Sequence, residues 1–314
     1  MQASAPIVIL GGTGFVGRHL VSRLSGSGHR VRVLSRNREQ RPDLRLLPGV
    51  EVRSADVHDR QQLVAAFQGA SAVVNLVGIL NERGFRGKGF EKAHVELTRS
   101  VLLACRGAKI RRLLQMSALR AGEGESHYLR TRGEAEALVR ASGLDWTIIR
   151  PSVIFGRGDG LFCRFAGLLR VLPVLPLARP GARFAPVYVG DVATAMTTML
   201  ERPKCIGQIY ELYGRQVMTL AEIVRYTARH MGLRRWALRL PDALGRLQAL
   251  VGDVIPGKPI SSDNFKSLKL DSVGTRDGLA ALGIVPTPVD AIVPALLAGG
   301  RHQARLDNWR GRGR

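Results

Sequence analysis

Seven residues near the start of the chain, Gly11-Gly12-Thr13-Gly14-Phe15-Val16-Gly17, restrict its fold more than any other stretch. They follow the apolar run Ile7 to Leu10 and open into the helical pattern "FVGRHLVSRLSGSG". Glycines at 11, 14 and 17 suit a tight turn, a close approach of backbone to a pyrophosphate, and close packing of helix on strand. Amides at the start of the helix, from the loop that holds Thr13, Phe15 and Val16, would receive the phosphates. A glycine triplet alone is a weak signal; its place between strand and helix makes it a dinucleotide-binding turn.

The following segments repeat strand and helix. "HRVRVLSR" alternates as a strand, then come "VEVRSADV" with "HDRQQLVAAFQGA", "SAVVNLVG", the helix "EKAHVELTRSVLLACRGA" and the strand "IRRLLQMSAL". This order predicts a Rossmann-type doubly wound parallel sheet with its ligand crevice at the C-terminal ends of the strands. Ser35 and Arg36 end the second strand, where an NAD-selective site usually carries an acid, and the first acid is delayed to Glu39. A guanidinium can pair with a 2'-phosphate, so NADPH is expected in preference to NADH, with Arg38 read as a solvated charge. Asp56 is expected to accept from the adenine amino group, with a helix cap as the alternative, and the Val57 amide to reach a ring nitrogen. Gly78 is expected to leave room for the adenosine.

Residues 1–150 are read as the NAD(P)-binding core. Residues 151–300 are read as a mixed region, partly returning to that core and partly forming a smaller substrate-like α/β subdomain, with Pro151 closing a strand because it cannot donate in a sheet ladder. Asp191 is expected to cap a helix there and Thr219 to stand at the start of another, "ALGRLQALVG" and "SSDNFKSLKL" to form small helices, and Asn264 and Phe265 at most to line a pocket. The apolar stretches "FAGLLRVLPVLPLA" and "PVDAIVPALLAGG" are interrupted by charge or proline, so buried segments are expected over interfacial patches. No signal peptide or spanning helix is expected. Residues 301–314 form a tail in which five arginines face one aspartate.

Charge bears on partners. Residues 1–150 hold 24 Lys and Arg against 13 Asp and Glu, and residues 151–314 hold 23 against 12, so the net +22 is spread over the whole chain. Such a surface suits anionic lipid, acidic protein or nucleic acid. No recognition motif or aromatic-basic platform accompanies it, so nucleic acid is the weakest of the three. Cys105, Cys163 and Cys205 are widely spaced and fit a reducing compartment, and no metal site is expected from them or from His94, His127 and His230.

Together "GGTGFVG", "NLVGIL", "HVELTRSVLLAC", "QMSAL", "YLRTRGEAE", "IIRPSVIFGRGDG" and "FAPVYVGDVATAM" resemble the atypical short-chain dehydrogenase/reductase family, of NAD-dependent epimerase/dehydratase type. Within it the likeness is greatest to the nucleotide-binding accessory subunits of respiratory complex I, alpha subcomplex subunit nine, and their bacterial relatives. The resemblance implies that Ser117 is the strand-end hydroxyl, Tyr128 the acid, and Arg132 the occupant of the position where active members carry lysine. Arginine keeps the positive charge but is a planar fork that does not exchange a proton, so a vestigial site is the first expectation. The resemblance thus implies an NADPH-binding accessory or assembly factor of complex I, in contact with its subunits or assembly intermediates. It would be cytoplasmic and peripheral at the bacterial inner membrane, with an anionic lipid surface as a further contact of the basic face and tail. The alternative is an NADPH-dependent reductase or epimerase-like oxidoreductase on a carbonyl or sugar-nucleotide substrate.

Overall fold

The computed structural model describes residues 5–37, 39, 41–82, 84–255 and 260–298. Arg38 and the tail 301–314 lie outside the described residues. Six strands of the first half are β1 (Ile7–Leu10), β2 (Val31–Ser35), β3 (Val50–Ser54), β4 (Ala72–Asn75), β5 (Arg112–Met116) and β6 (Asp145–Pro151). With the strand Gln208–Leu212 they form one parallel sheet in the order Gln208–Leu212, β6, β5, β4, β1, β2, β3. The chain is an α/β protein of Rossmann type with an additional C-terminal subdomain.

Both faces of the sheet are covered, which is why β1 and β4 are apolar at almost every position instead of alternating with polar residues. Ile7, Ile9, Val31, Val33 and Val74 pack on one side with Leu20, Val21 and Leu24 of the helix Phe15–Gly26. Val8, Leu10, Leu34 and Val73 pack on the other with Leu97 and Val101 of the helix Leu97–Gly107. The direction of winding reverses between β1 and β4, so their C-terminal ends part to leave a crevice.

The second half contributes to both layers. Val192, Ala195, Met196 and Met199 of the helix Val189–Glu201 pack beside the glycine-loop helix, and the strand Gln208–Leu212 extends the sheet from β6. Among the described residues the rest includes three short strand pairs: Ile154–Phe155 with Val187–Tyr188, Arg183–Phe184 with Met218–Thr219, and Val174–Leu177 with Trp236–Arg239. Thr219 caps the helix Leu220–His230 in a reciprocal box with Glu222. Asp191 does not cap as expected. The helix has already begun at Val189, and the buried Asp191 carboxylate instead accepts from the Thr287 amide at 2.7 Å and hydroxyl at 2.9 Å, tying a distant segment to the helix. Val289, Val293 and Leu297, at four-residue spacing, are buried as one stripe. Among the described residues no helix is long and apolar enough to cross a membrane.

Candidate functional site

The site begins at the C-terminal end of β1. Gly11 turns the chain with φ +77, and a side chain there would sit 3.1 Å from the Leu76 carbonyl carbon. A Cβ on Gly17 would run into the Gly11 carbonyl oxygen, so helix and strand meet at a distance that only glycine permits. The helix starts after Gly14 with no side chain bonded across its end, which leaves first-turn amides facing outward as an anion cradle. Arg18, in that first turn, keeps a buried Nε without a partner among the described residues. The loop therefore fits a pyrophosphate. Phe15 and Val16 wall a cavity of about 390 Å³, and Thr13 is half-buried beside them.

Ser117 and Tyr128 reach the same cavity from different elements. Ser117 follows β5, with its amide donating to the Ile149 carbonyl of β6 at 2.7 Å. Tyr128 lies in the first turn of the helix His127–Arg140, capped by Ser126 through the Leu129 amide at 3.1 Å. Arg132, one turn on, is buried below the tyrosine, its guanidinium carbon 5.5 Å from the centre of the phenol ring. Its Nη1 donates to the Met116 carbonyl at 2.9 Å, and its Nε has no partner among the described residues. What a side chain on Gly78 would strike is this guanidinium, so glycine at 78 and arginine at 132 share a steric reason.

Three sets of contacts around this group join residues from separate stretches of the sequence. The Ser117 hydroxyl donates to Glu136 Oε1 at 2.5 Å, and the buried Glu136 is gripped by Arg150 through Nε at 2.9 Å and Nη2 at 2.6 Å. The pairing raises the Arg150 pKa further above its ordinary value, chiefly through the hydrogen bonds to Glu136. Asp263 takes the His127 amide at 2.6 Å and the Tyr128 amide at 3.0 Å, fastening the start of the tyrosine helix to the second half. His94 lies edge-on to Tyr128, its Nε2 accepting from the Ile79 amide at 3.3 Å and its Nδ1 beside the Thr131 hydroxyl at 2.9 Å. Burial first, then the field of Arg132, pushes its pKa down to about 2, so the ring is neutral with the proton on Nδ1.

The far wall of the cavity comes from the second half and is mainly apolar, with Leu161, Phe184, Leu268 and Leu270 beside Pro151 at the end of β6, and with Ser152, Ser267 and Ser272 among them. Asn264 donates to the Leu80 carbonyl at 3.2 Å, and Phe265 is buried under Arg179. After β3 Asp56 is exposed and accepts from the His58 amide at 2.9 Å, with Val57 partly buried after it. The cap of the helix Arg60–Phe67 is Asp59, three residues further on, whose Oδ1 takes the Gln61 and Gln62 amides. The alternative reading of Asp56 as the cap is therefore corrected.

Residues 11–160 match a family model described as NAD(P)H-binding. The chain is 32% identical to a ceramide reductase of Caulobacter vibrioides (strain NA1000 / CB15N) over 243 residues, covering 77% of this chain and 75% of that protein. The chain belongs to an NAD(P)H-binding Rossmann-fold family. This family is related both to NAD-dependent epimerases and dehydratases and to complex I accessory subunits. NADH dehydrogenase [ubiquinone] 1 alpha subcomplex subunit 9, mitochondrial, of Arabidopsis thaliana is 30% identical over 304 residues, covering 93% of this chain and 75% of that one. Among solved structures the fold is similar to MoeE5 in complex with UDP-glucose and NAD, with a TM-score of 0.75 and 18% identity over 96% of this chain and 100% of the other.

The expectation of NADPH in preference to NADH is corrected by that likeness. MoeE5, whether with UDP-glucose or with UDP-glucuronic acid, holds NAD. In this Rossmann-family chain the Ser35 hydroxyl donates to the Asn37 carbonyl at 2.9 Å and accepts from the Asn37 amide at 3.3 Å, closing a bend that leaves Arg36 exposed.

Proposed function

We propose that the chain is an NAD-dependent oxidoreductase that reduces the carbonyl group of an apolar substrate. The observation that carries this reading is the convergence of the glycine-loop residues Phe15 and Val16, the group Ser117, Tyr128 and Arg132, and a mainly apolar far wall on one cavity of about 390 Å³. The amides after Gly14 would hold the pyrophosphate, and Arg132 would stand beside the nicotinamide ribose. When bound, the dinucleotide supplies the hydride. Tyr128 delivers its phenolic proton to the carbonyl oxygen, and the buried Arg132 stabilises the phenolate left behind until solvent returns the proton. The Ser117 proton is committed to Glu136, so Ser117 orients the substrate less than Tyr128 does. The ceramide reductase named above supports an apolar substrate over a sugar nucleotide.

The test is oxidation of NADH by the purified protein in the presence of long-chain ketones and quinone-like carbonyls. Turnover should fall by about two orders of magnitude or more in Tyr128→Phe, with NADH affinity retained. Equal turnover in the variant, or no measurable NADH affinity in the wild type, sinks the proposal.

A second reading is an accessory or assembly factor of respiratory complex I that holds its dinucleotide without efficient turnover. The likeness to alpha subcomplex subunit 9 across 93% of the chain favours it. It now stands behind the enzymatic reading, because the acid, its cation and a substrate-sized cavity are assembled together. Complex I subunits co-purifying with a tagged copy in mild detergent would support it.

A further inference from the structure

The helix Asp242–Val254 turns its larger apolar side chains away from the protein. Leu244, Leu247, Leu250, Val251 and Val254 recur at helical spacing, and each is exposed, from 49% at Val251 to 72% at Val254. The face turned inward is made of small residues. A side chain on Gly245 would lie 3.0 Å from the Phe265 ring and 3.1 Å from the Ala178 Cβ, and one on Gly252 would run into the Ile260 carbonyl. Asp253, also on that face, is buried and accepts from the Ser262 amide. The helix is therefore locked in this rotation, and rolling it to bury the leucines would drive them into backbone.

The strand that leads into this helix extends the apolar surface. Trp236 and Leu238, two residues apart and so on one face, are 75% and 53% exposed. Charge nearby is mainly positive, and the exposed Glu125 beside Arg246 is paired with Lys269 at 2.7 Å. The three acids of residues 232–269 are all engaged: Asp242 with Arg179 at 2.6 Å, Asp253 with Ser262, and Asp263 with the tyrosine helix. Arg234 and Arg246 are exposed beside the apolar residues, and Arg239 is exposed on the opposite side of its strand from Trp236 and Leu238. The chain as a whole carries +22.

We infer that this face rests on an anionic lipid bilayer, the leucine and valine stripe entering the boundary between headgroups and acyl chains while Arg234 and Arg246 meet lipid phosphates. A stripe of this width beside exposed cations is the composition of a helix that lies in the plane of a membrane surface. Trp236 suits the headgroup level, where an amphipathic ring is favoured. The inference does not rest on the proposed reaction. It does set the cavity close to lipid: Phe265 of the helix Ser262–Ser267 packs against Ala249 of the stripe helix, and Ser267 and Leu268 line the cavity.

The experiment is flotation of the full-length protein with vesicles of phosphatidylcholine alone and of phosphatidylcholine mixed with phosphatidylglycerol. Wild type should float with the mixed vesicles and about tenfold less with the neutral ones. Leu247→Glu/Leu250→Glu should lose about tenfold or more of the binding to mixed vesicles, and Arg234→Glu/Arg246→Glu should fall to the neutral-vesicle level. Melting curves identify folded variants, and Leu244→Ser/Val254→Ser replaces the glutamate pair where that pair unfolds. The inference is overturned if wild type floats with neither vesicle or equally with both, or if the folded stripe variants float like wild type. A stripe substitution that only converts a wild-type dimer to a monomer, with no flotation of either, overturns it in favour of a contact between copies.

Discussion

On the proposed reading Arg132 is the cation beside the reacting group, and its place depends on a glycine 54 positions earlier. A lysine there would present a point charge on a flexible stem. The planar fork needs lateral room, and Gly78 supplies it. Gly78→Ala should leave the chain folded, because the group struck is the far end of a side chain, but the guanidinium must give up its bond to Met116. A loss of about 1–2 kcal/mol in stability and a larger fall in kcat than in NADH affinity are expected, checked by thermal melting, calorimetry and turnover. Unchanged kcat in the variant would show that the guanidinium position is irrelevant to the reaction.

At the scale of elements, the tyrosine helix is held by a carboxylate far away in sequence. Asp263 presents both oxygens to the first two amides of the helix, where the dipole also favours negative charge. Asp263→Ala should destabilise the protein by about 1–3 kcal/mol and lower turnover, whereas Asp263→Asn should recover part of both; melting and kinetics on the pair decide it. An alanine variant as stable and active as wild type would leave Asp263 without this role. Nothing in the residues around 263 announces such a contact, because hydrogen bonds between distant segments leave no local spacing. The same holds for Glu136 with Arg150 and Ser117. By contrast, the glycine turn, the buried strands and the Thr219 box are local and were legible in the sequence. The helix Asp242–Val254 marks the boundary between the two: its periodicity shows a stripe, but only the packed glycines on the opposite face show which way the stripe points.

At the scale of the whole molecule, acid should weaken the fold in two stages. The His94 pKa is lowered to about 2 from 6.5, by burial and then by Arg132, and that of His19 is lowered mainly by burial. Above pH 6.5 neither folded nor unfolded histidine is charged. Below it the unfolded chain takes up protons that folded His94 refuses, so stability should drop by about 1.4 kcal/mol per pH unit for this one group. Carboxylates whose pKa values are lowered, among them Glu211, held by the Thr275 and Arg276 amides against the opposing effect of burial, add their loss only as the pH falls through the ordinary carboxylate range. Urea unfolding of wild type and His94→Gln between pH 7 and 5 checks the first stage, and parallel slopes in the two proteins would contradict it. The cavity itself has a consequence in time. Phe15 and Val16 belong both to the turn that would cradle the pyrophosphate and to the wall of the substrate space, so a substrate seated first would stand across the cofactor's way in. On the proposed reading the dinucleotide is the first to arrive and the last to depart, and each turnover runs as a queue with a fixed order.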